Sequence, residues 1–206
     1  MDTAAPPPGE PLPVELMNTV RADRDGVYDT LDRPEGATEW LAAVSARTAL
    51  PAAADFDALT GPELARLAGR LTDLRGALRR LAAEATGDPR PAALTPALQL
   101  ADAVAALNAA AGETPHWSAL SWTPGRAPER HTRTGGRAAA AALSALAEES
   151  VLLFCGEARH DLRACLAPGC VLYFTKNHPR REWCSPGCGN RARSARHYRR
   201  HRHGSA

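Results

Sequence analysis

Lysine is nearly absent from this chain, and aromatic residues are scarce. Of the 25 basic residues only Lys176 is a lysine, and phenylalanine, tryptophan and tyrosine together make up 5% of the 206 residues. Such a bias, together with abundant alanine, is typical of a GC-rich bacterial genome. The number of arginines therefore does not by itself indicate nucleic-acid binding, and their position is more informative.

Segments that would direct the chain to a membrane are also missing. The first residues, MDTAAPPPGEPLP, contain no basic stretch followed by an apolar one, as a secretory signal would. No apolar run approaches the roughly 20 residues that a membrane-spanning helix needs. We therefore expect a cytoplasmic protein with no membrane partner. In that compartment thiols stay reduced, and clustered cysteines more often bind metal than form disulfides.

The motifs of common enzymes are lacking as well. The sequence has no glycine-rich phosphate loop, no triad order of serine, histidine and aspartate, and no His-Glu metal motif. We therefore expect no enzymatic activity. Asn18, Asn108 and the tryptophans are candidates for lining a small-molecule pocket, but a structural role is the simpler interpretation for each.

Acidic residues almost disappear from the last part of the chain. From Arg163 onward Glu182 is the one acid beside ten basic residues, so this segment carries a net charge of +9 and the remainder −7. Charge asymmetry of this kind favours an acidic partner for the basic end, most often nucleic acid. The alternative is a solvated tail that only keeps the protein soluble.

Residues 14–160 are predicted to form one helical domain, preceded by a disordered, proline-rich arm at residues 1–13. The strongest helix covers residues 61–85, with a capping box of Thr60 and Glu63 at its start and a stop at 87–89. Its leucine seam predicts an intramolecular core, with a coiled-coil homodimer as the alternative. The seam consists of Leu64, Leu67, Leu71, Leu74, Leu78 and Leu81.

Three weaker helices are predicted around this one. The first lies near 35–48, the second runs from Thr95-Pro96 to Gly112, and the third covers 137–155. Between the last two, residues 116–134 hold two tryptophans among polar residues, glycine and proline. We predict a loop or a weak β-hairpin there.

Four of the five cysteines lie within 24 residues, in the pattern Cys165-x4-Cys170-x13-Cys184-x3-Cys188. Zn²⁺ takes four thiolates tetrahedrally, and two ligand pairs separated by 10–20 residues are the usual way to supply them. We predict one structural zinc ion in a C-terminal domain, residues 161–206. The alternatives are a disulfide, a redox switch, an iron–sulfur cluster, or a zinc site in which His178 replaces one of the cysteine ligands. The fifth cysteine, Cys155, is predicted to be a small buried hydrophobe.

The residues between the cysteine pairs predict a hairpin and a helix. Residues 171–175 favour a strand, 177–179 a turn and 180–183 the returning strand. Ser185 and Pro186 then begin a helix, with Cys184 before it and Cys188 in its first turn. The fold class is thus mainly α. It combines a helical N-terminal domain, with a possible small β-hairpin, and a treble-clef-like zinc module of knuckle, β-hairpin and helix.

The basic helix after Cys188 is the predicted contact with nucleic acid, because arginine donates paired hydrogen bonds to phosphates and base edges. Trp183 and Tyr198 are expected to contact the hairpin of the zinc module. Asn190 is of the type that pairs with adenine, although local hydrogen bonding is the commoner role. DNA is the expected partner, with RNA or a protein as the alternative. The candidate contacts are Arg180, Arg181, Asn190, Arg191, Arg193, Arg196, Arg199 and Arg200.

These motifs together resemble a known family. The cysteine spacing and the run Cys188-Gly189-Asn190-Arg191 resemble the CGNR zinc finger, and the upstream segment resembles its usual companion, the ABATE domain of stress-induced bacterial transcription regulators. Residues 14–19, VELMNT, are similar to that domain's opening LDFVNT, with Glu15 and Leu16 as departures. Residues 74–78, LRGAL, and the pair Leu107-Asn108 are similar too. The resemblance implies a zinc-bearing, DNA-binding regulator whose helical domain senses a signal or dimerises.

Overall fold

Helices dominate the structure, as predicted. The computed structural model describes residues 9–22, 26–45, 48, 50–51, 53–90 and 98–203. Its α-helices are α1 (Leu12–Met17), α2 (Pro34–Ser45), α3 (Gly61–Thr86), α4 (Leu100–Ala111), α5 (Ala138–Cys155) and α6 (Pro186–His203). Short 3-10 turns occur at Ala53–Asp55 and Glu157–Asp161.

Helix α3 is the centre of the helical domain. Its predicted capping box is confirmed, since the Glu63 carboxylate accepts hydrogen bonds from the backbone N–H and the hydroxyl of Thr60, at 2.9 and 2.8 Å. Gly87 ends the helix in the left-handed conformation, with φ of 58°. The middle of the leucine seam is buried and packs on α1, α2, α4 and α5. The seam is therefore covered within the chain and is not available for a coiled coil.

Helix α5 is the apolar wall of the same core. By length and composition alone it could cross a membrane, which corrects the expectation that the sequence has no such run. Its buried side chains, including Leu143, Leu146 and Leu153, pack into the core formed by α1, α3 and α4. A core helix and a membrane span can share this composition, and the packing of α5 is that of a core helix.

Within the part of the chain that the structure describes, three antiparallel hairpins accompany the helices. Strands β1 (Val20–Ala22) and β2 (Val27–Asp29) form the first, and β3 (His116–Ser121) and β4 (Glu129–Thr134) form the second, which confirms the hairpin predicted at 116–134. The third pairs β5 (Leu162–Ala164) with β6 (Tyr173–Thr175). The predicted return strand at 180–183 is wrong, because β6 pairs with the residues before the first cysteine instead.

Two predicted boundaries also differ from the structure. Of the arm predicted at 1–13, residues 1–8 lie outside the described residues, but Glu10 and Leu12 are buried, and Leu12 already begins α1. The predicted helix start at Thr95-Pro96 lies outside the described residues too. In the structure α4 begins at Leu100 and ends before Gly112.

The hydrophobic core does not stop where the zinc module begins. Leu162 in β5 and Tyr173 in β6 are 1% exposed and belong to the same core as α1, α3 and α5. Phe174, the next residue in β6, faces the other way and packs with the cysteines. This alternation is what a strand imposes, so β6 is shared between the helical core and the zinc module.

Candidate metal centre and basic helix

Two short elements bring the four cysteines together. Cys165 directly follows β5 and Cys170 precedes β6, so the first pair lies at the end of this hairpin, with Gly169 at φ 73° in the turn between them. Cys184 and Cys188 flank the start of α6. All four are buried, and their sulfur atoms lie within 4.8 Å of one another.

The sulfur positions fit a tetrahedral metal. A zinc ion with Zn–S bonds of about 2.3 Å separates its ligands by about 3.8 Å. The Cys170 and Cys184 sulfurs are 3.8 Å apart and those of Cys184 and Cys188 are 3.4 Å apart. Sulfur is also the ligand type that zinc prefers in closed structural sites. The four cysteines therefore suffice for one zinc ion without a histidine.

The crowding of the thiols favours a bound cation. Hydrogen bonds with Cys170 and Cys184 lower the pKa of Cys165 to about 7. Hydrogen bonds with Cys165, Cys170 and Cys184 also lower the pKa of Cys188. The same contacts, with that of Cys165 the largest, raise the pKa of Cys170 and Cys184. The four thiols thus do not all ionise by themselves, whereas a divalent cation compensates the charge of four thiolates.

The run Cys188-Gly189-Asn190-Arg191 has a structural explanation at each position. Ser185 caps α6, as predicted, because its Oγ accepts a hydrogen bond from the Cys188 backbone N–H at 3.2 Å. A Cβ atom at Gly189 would lie 3.2 Å from Trp183 Cδ1, so glycine lets the indole pack against the helix. Asn190 Oδ1 accepts a hydrogen bond from Arg193, and Arg191 donates to Cys188 Sγ at 2.9 Å.

Arg90 supports the first ligand pair from the helical domain. Its guanidinium donates to the backbone carbonyls of Cys165, Cys170 and Leu172, at 3.2–3.3 Å. Asp88 holds the guanidinium through an ion pair of 2.6 Å. Burial alone would raise the pKa of Asp88, but its hydrogen bonds with Arg90 and Tyr173 outweigh that effect and lower it. The residues just after α3 thereby fix the backbone of the zinc knuckle.

Tyr173 is the main contact between the two parts of the molecule. Two guanidinium groups lie close to its ring, with the Arg79 and Arg90 Cζ atoms 5.2 and 4.8 Å from the ring centroid. Its hydroxyl donates to Asp88 at 2.8 Å. The Asn18 side chain pairs with its backbone, donating to Tyr173 O at 2.8 Å and accepting from Tyr173 N at 2.9 Å. Asn18 is therefore structural, as the simpler interpretation predicted.

The Arg181 side chain also makes its contacts within the zinc module and with Glu10. Its guanidinium forms a 2.6 Å ion pair with Glu10, donates to the carbonyls of Thr175 and Cys184, and lies 5.0 Å from the Phe174 ring centroid. Glu10 in turn accepts hydrogen bonds from the Thr175 backbone and hydroxyl. Arg181 is thus occupied by protein partners, which corrects its assignment to the nucleic-acid surface.

The exposed side of α6 carries most of the other predicted contacts. Arg193, Arg196, Arg199 and Arg200 are exposed on the helix, and Arg180 is exposed just before it. Trp183 packs against the cysteine cluster as expected, but Tyr198 is 71% exposed, so its predicted contact with the hairpin is wrong. Cys155, predicted to be buried, is exposed and lies outside the metal cluster.

An open groove of about 590 Å³ lies where α6 meets the zinc module. Arg180, Arg193, Trp183 and Ser185 contribute to its lining. The groove therefore places two exposed guanidinium groups and an indole beside the N-terminus of a helix, where backbone N–H groups also favour anions.

The sequence alone did not reveal the residues that dock the zinc module. Glu10, Asn18, Arg79, Asp88 and Arg90 are separated from their partners in the module by 75 to 171 positions. Arg79 lies on the leucine-rich helix α3 but is 3% exposed, and burial lowers its pKa to about 10. The sequence feature that could have indicated the burial of Arg79 is its position on the same side of the helix as the leucine seam.

Two family models match the chain. Residues 10–157 match the ABATE family, described as "Putative stress-induced transcription regulator", and residues 162–201 match the CGNR zinc finger. Both agree with the resemblance drawn from the sequence. No match was found among curated proteins. Since the zinc-finger match includes all four clustered cysteines, these residues form the site of one structural zinc ion.

Proposed function

Because this chain belongs to the ABATE family and ends in a CGNR zinc finger, we propose that it is a bacterial, cytoplasmic transcription regulator that binds DNA through α6 and has no enzymatic activity. The observation that carries the proposal is the row of exposed arginines on a helix whose start is flanked by two zinc ligands. This arrangement presents positive charge from a fixed position, which suits a regular polyanion.

Five arginines are the proposed DNA contacts. Helix α6 has 18 residues and is about 27 Å long, and a helix of this kind fits the major groove of B-DNA. Arginine donates two parallel hydrogen bonds to a phosphate or to guanine, so the same side chains serve backbone and base contacts. The five are Arg180, Arg193, Arg196, Arg199 and Arg200, all of them exposed.

The zinc site fixes the direction of this helix. When bound, the zinc ion compensates the thiolate charges and ties the start of α6 to the knuckle. Ser185 caps the first turn, and Arg191 directs its guanidinium at Cys188 Sγ, where it offsets part of the remaining negative charge. Arg193, Arg196, Arg199 and Arg200 of α6 are exposed and can face an external phosphate.

Salt dependence tests the proposal. Five phosphate contacts predict a log–log slope of about −4.5 and a loss of several hundredfold in affinity between about 50 and 200 mM salt. We expect the zinc-loaded full chain to show this slope in fluorescence anisotropy with duplex DNA. The double variant Arg196→Gln, Arg200→Gln should reduce the magnitude of the slope by about 2.

A matched control removes equal charge elsewhere. Arg126→Gln with Arg133→Gln, both on the β3–β4 hairpin and exposed, should leave the slope unchanged. If the zinc-loaded chain binds no DNA at about 50 mM salt, the proposal is wrong. Equal binding to RNA of any sequence would instead favour the alternative, in which the zinc module binds RNA or a protein. Genome-wide capture of DNA by the wild type then identifies the recognised sequence.

A further inference from the structure

A second groove lies on the helical domain, away from the zinc ligands. It has a volume of about 540 Å³, within the range of small-molecule sites. The segment around α1, the C-terminal half of α5 and strand β4 form its walls. Its apolar lining consists of Pro11, Pro13, Leu152, Leu153 and Ala158.

Two charged residues of opposite sign line the same groove without pairing with each other. Glu149 is half-buried and has no hydrogen-bond or ion-pair partner among the described residues. Burial raises its pKa. A carboxylate in such a position is poorly solvated, so a cation that enters the groove would stabilise it.

Arg130 is the opposite charge. Its Nε donates to Ser118 Oγ of the neighbouring strand at 3.0 Å. No carboxylate among the described residues forms an ion pair with its guanidinium. A guanidinium held at Nε presents its two terminal nitrogens to a carboxylate, the geometry that arginine uses for paired hydrogen bonds.

We propose that this groove binds a free α-amino acid with an apolar side chain, its carboxylate on Arg130, its ammonium on Glu149 and its side chain against Leu152 and the two prolines. A zwitterion satisfies both charges at once, whereas an ion of one sign leaves the other without a partner. The apolar lining of the groove would contact the apolar side chain of the amino acid. The proposal concerns ligand binding and does not depend on whether α6 binds DNA.

A series of matched probes tests the proposal on the zinc-loaded full chain. L-leucine should bind saturably at millimolar concentration, measured by chemical-shift changes of the groove residues. Leucinamide lacks the carboxylate and 4-methylpentanoate lacks the ammonium. Each should bind about ten- to a hundredfold more weakly, because each loses one charged hydrogen-bonded contact.

Variants assign each contact to its residue. In Arg130→Met the preference for leucine over leucinamide should disappear, and in Glu149→Gln the preference for leucine over 4-methylpentanoate should disappear. Arg133→Met and Glu157→Gln are the controls, since both residues are exposed and outside the groove, and they should bind leucine as the wild type does.

Three results would overturn the proposal. One is the absence of saturable binding of leucine or phenylalanine up to about 10 mM. Another is equal binding of leucine, leucinamide and 4-methylpentanoate to the wild type. This result does not depend on whether any variant folds. The third is leucine binding that both groove variants retain in full.

Discussion

The β3–β4 hairpin follows α4 and the β5–β6 hairpin follows α5. The longer of the two, β3–β4, has the more exposed side chains. The β3–β4 hairpin pairs six residues on each strand, but Trp117 is 53% and Leu120 is 70% exposed. The β5–β6 hairpin pairs only three on each strand, yet Tyr173 and Phe174 are 1% exposed. A longer ladder of backbone hydrogen bonds therefore does not by itself bring a hairpin into the core.

The difference lies in what holds each hairpin from outside. The β5–β6 hairpin has a metal site at its tip, Asn18 on its backbone and two guanidinium groups on its tyrosine. The β3–β4 hairpin has mainly exposed contacts, such as the 3.2 Å contact of His116 Nε2 with Glu148 Oε1. Isolated two-stranded hairpins are marginal in water, so we expect the side-chain anchors to make β5–β6 open less readily than β3–β4.

The largest effect should follow from removing a zinc ligand. Cys184→Ser should lower the zinc content from one ion per chain to nearly none, because a structural zinc site supplies about 10–16 kcal/mol. Since β6 belongs to the common core, we expect faster amide exchange in β5–β6 and at the end of α3 but not in β3–β4. Elemental analysis and hydrogen exchange give the two measurements.

Cys155→Ser is the control for this experiment. Cys155 is an exposed cysteine outside the metal cluster, so the variant should keep its zinc and its exchange pattern. A Cys184→Ser chain that retains one zinc ion would show that the metal site has been assigned to the wrong ligands.

The next effect compares the aromatic residues of the two hairpins. Tyr173→Ala should lower the free energy of unfolding by about 3–5 kcal/mol, because it leaves a cavity where the buried ring packs near Arg79 and Arg90. Trp117→Ala, the control in the exposed hairpin, should change it by less than about 0.5 kcal/mol. Urea unfolding with saturating zinc measures both. Equal losses would mean that the exposed hairpin is also anchored.

The smallest expected effect on the free energy of unfolding comes from removing side-chain hydrogen bonds, and it should differ between a buried site and an exposed one. Asn18→Ala leaves the buried backbone N–H and carbonyl of Tyr173 without partners and should cost about 1–3 kcal/mol. Ser118→Ala removes the exposed hydrogen bond from Arg130 and should cost less than about 0.5 kcal/mol. The same unfolding measurement applies. An Asn18→Ala variant as stable as Ser118→Ala would argue against the docking role of Asn18.

Local patterns in the sequence were enough to predict the parts that local physics determines. The leucine repeat predicts α3, Ser185 and Pro186 predict the start of α6, and the cysteine spacing predicts the zinc site. Each of these depends on residues close together in the chain. The polar residues, glycine and proline around the tryptophans at 117 and 122 likewise predicted a loop or a weak hairpin.

Pairings over long distances could not be predicted in the same way. A three-residue strand has no measurable period, so the sequence did not show that β6 pairs with residues 162–164 rather than with 180–183. Nor did it distinguish Arg181, which binds Glu10 inside the molecule, from Arg180, which is exposed one position earlier. Both outcomes depend on which segments meet in three dimensions.

The contacts of Tyr173 with Arg79 and Arg90 have a consequence for protein engineering. The zinc finger takes its orientation from residues of the other domain, namely Glu10, Asn18, Arg79, Asp88 and Arg90. We expect a finger transplanted onto an unrelated protein to lose this orientation. A working chimera would need either the whole chain or a host whose surface is rebuilt to supply the same five side chains.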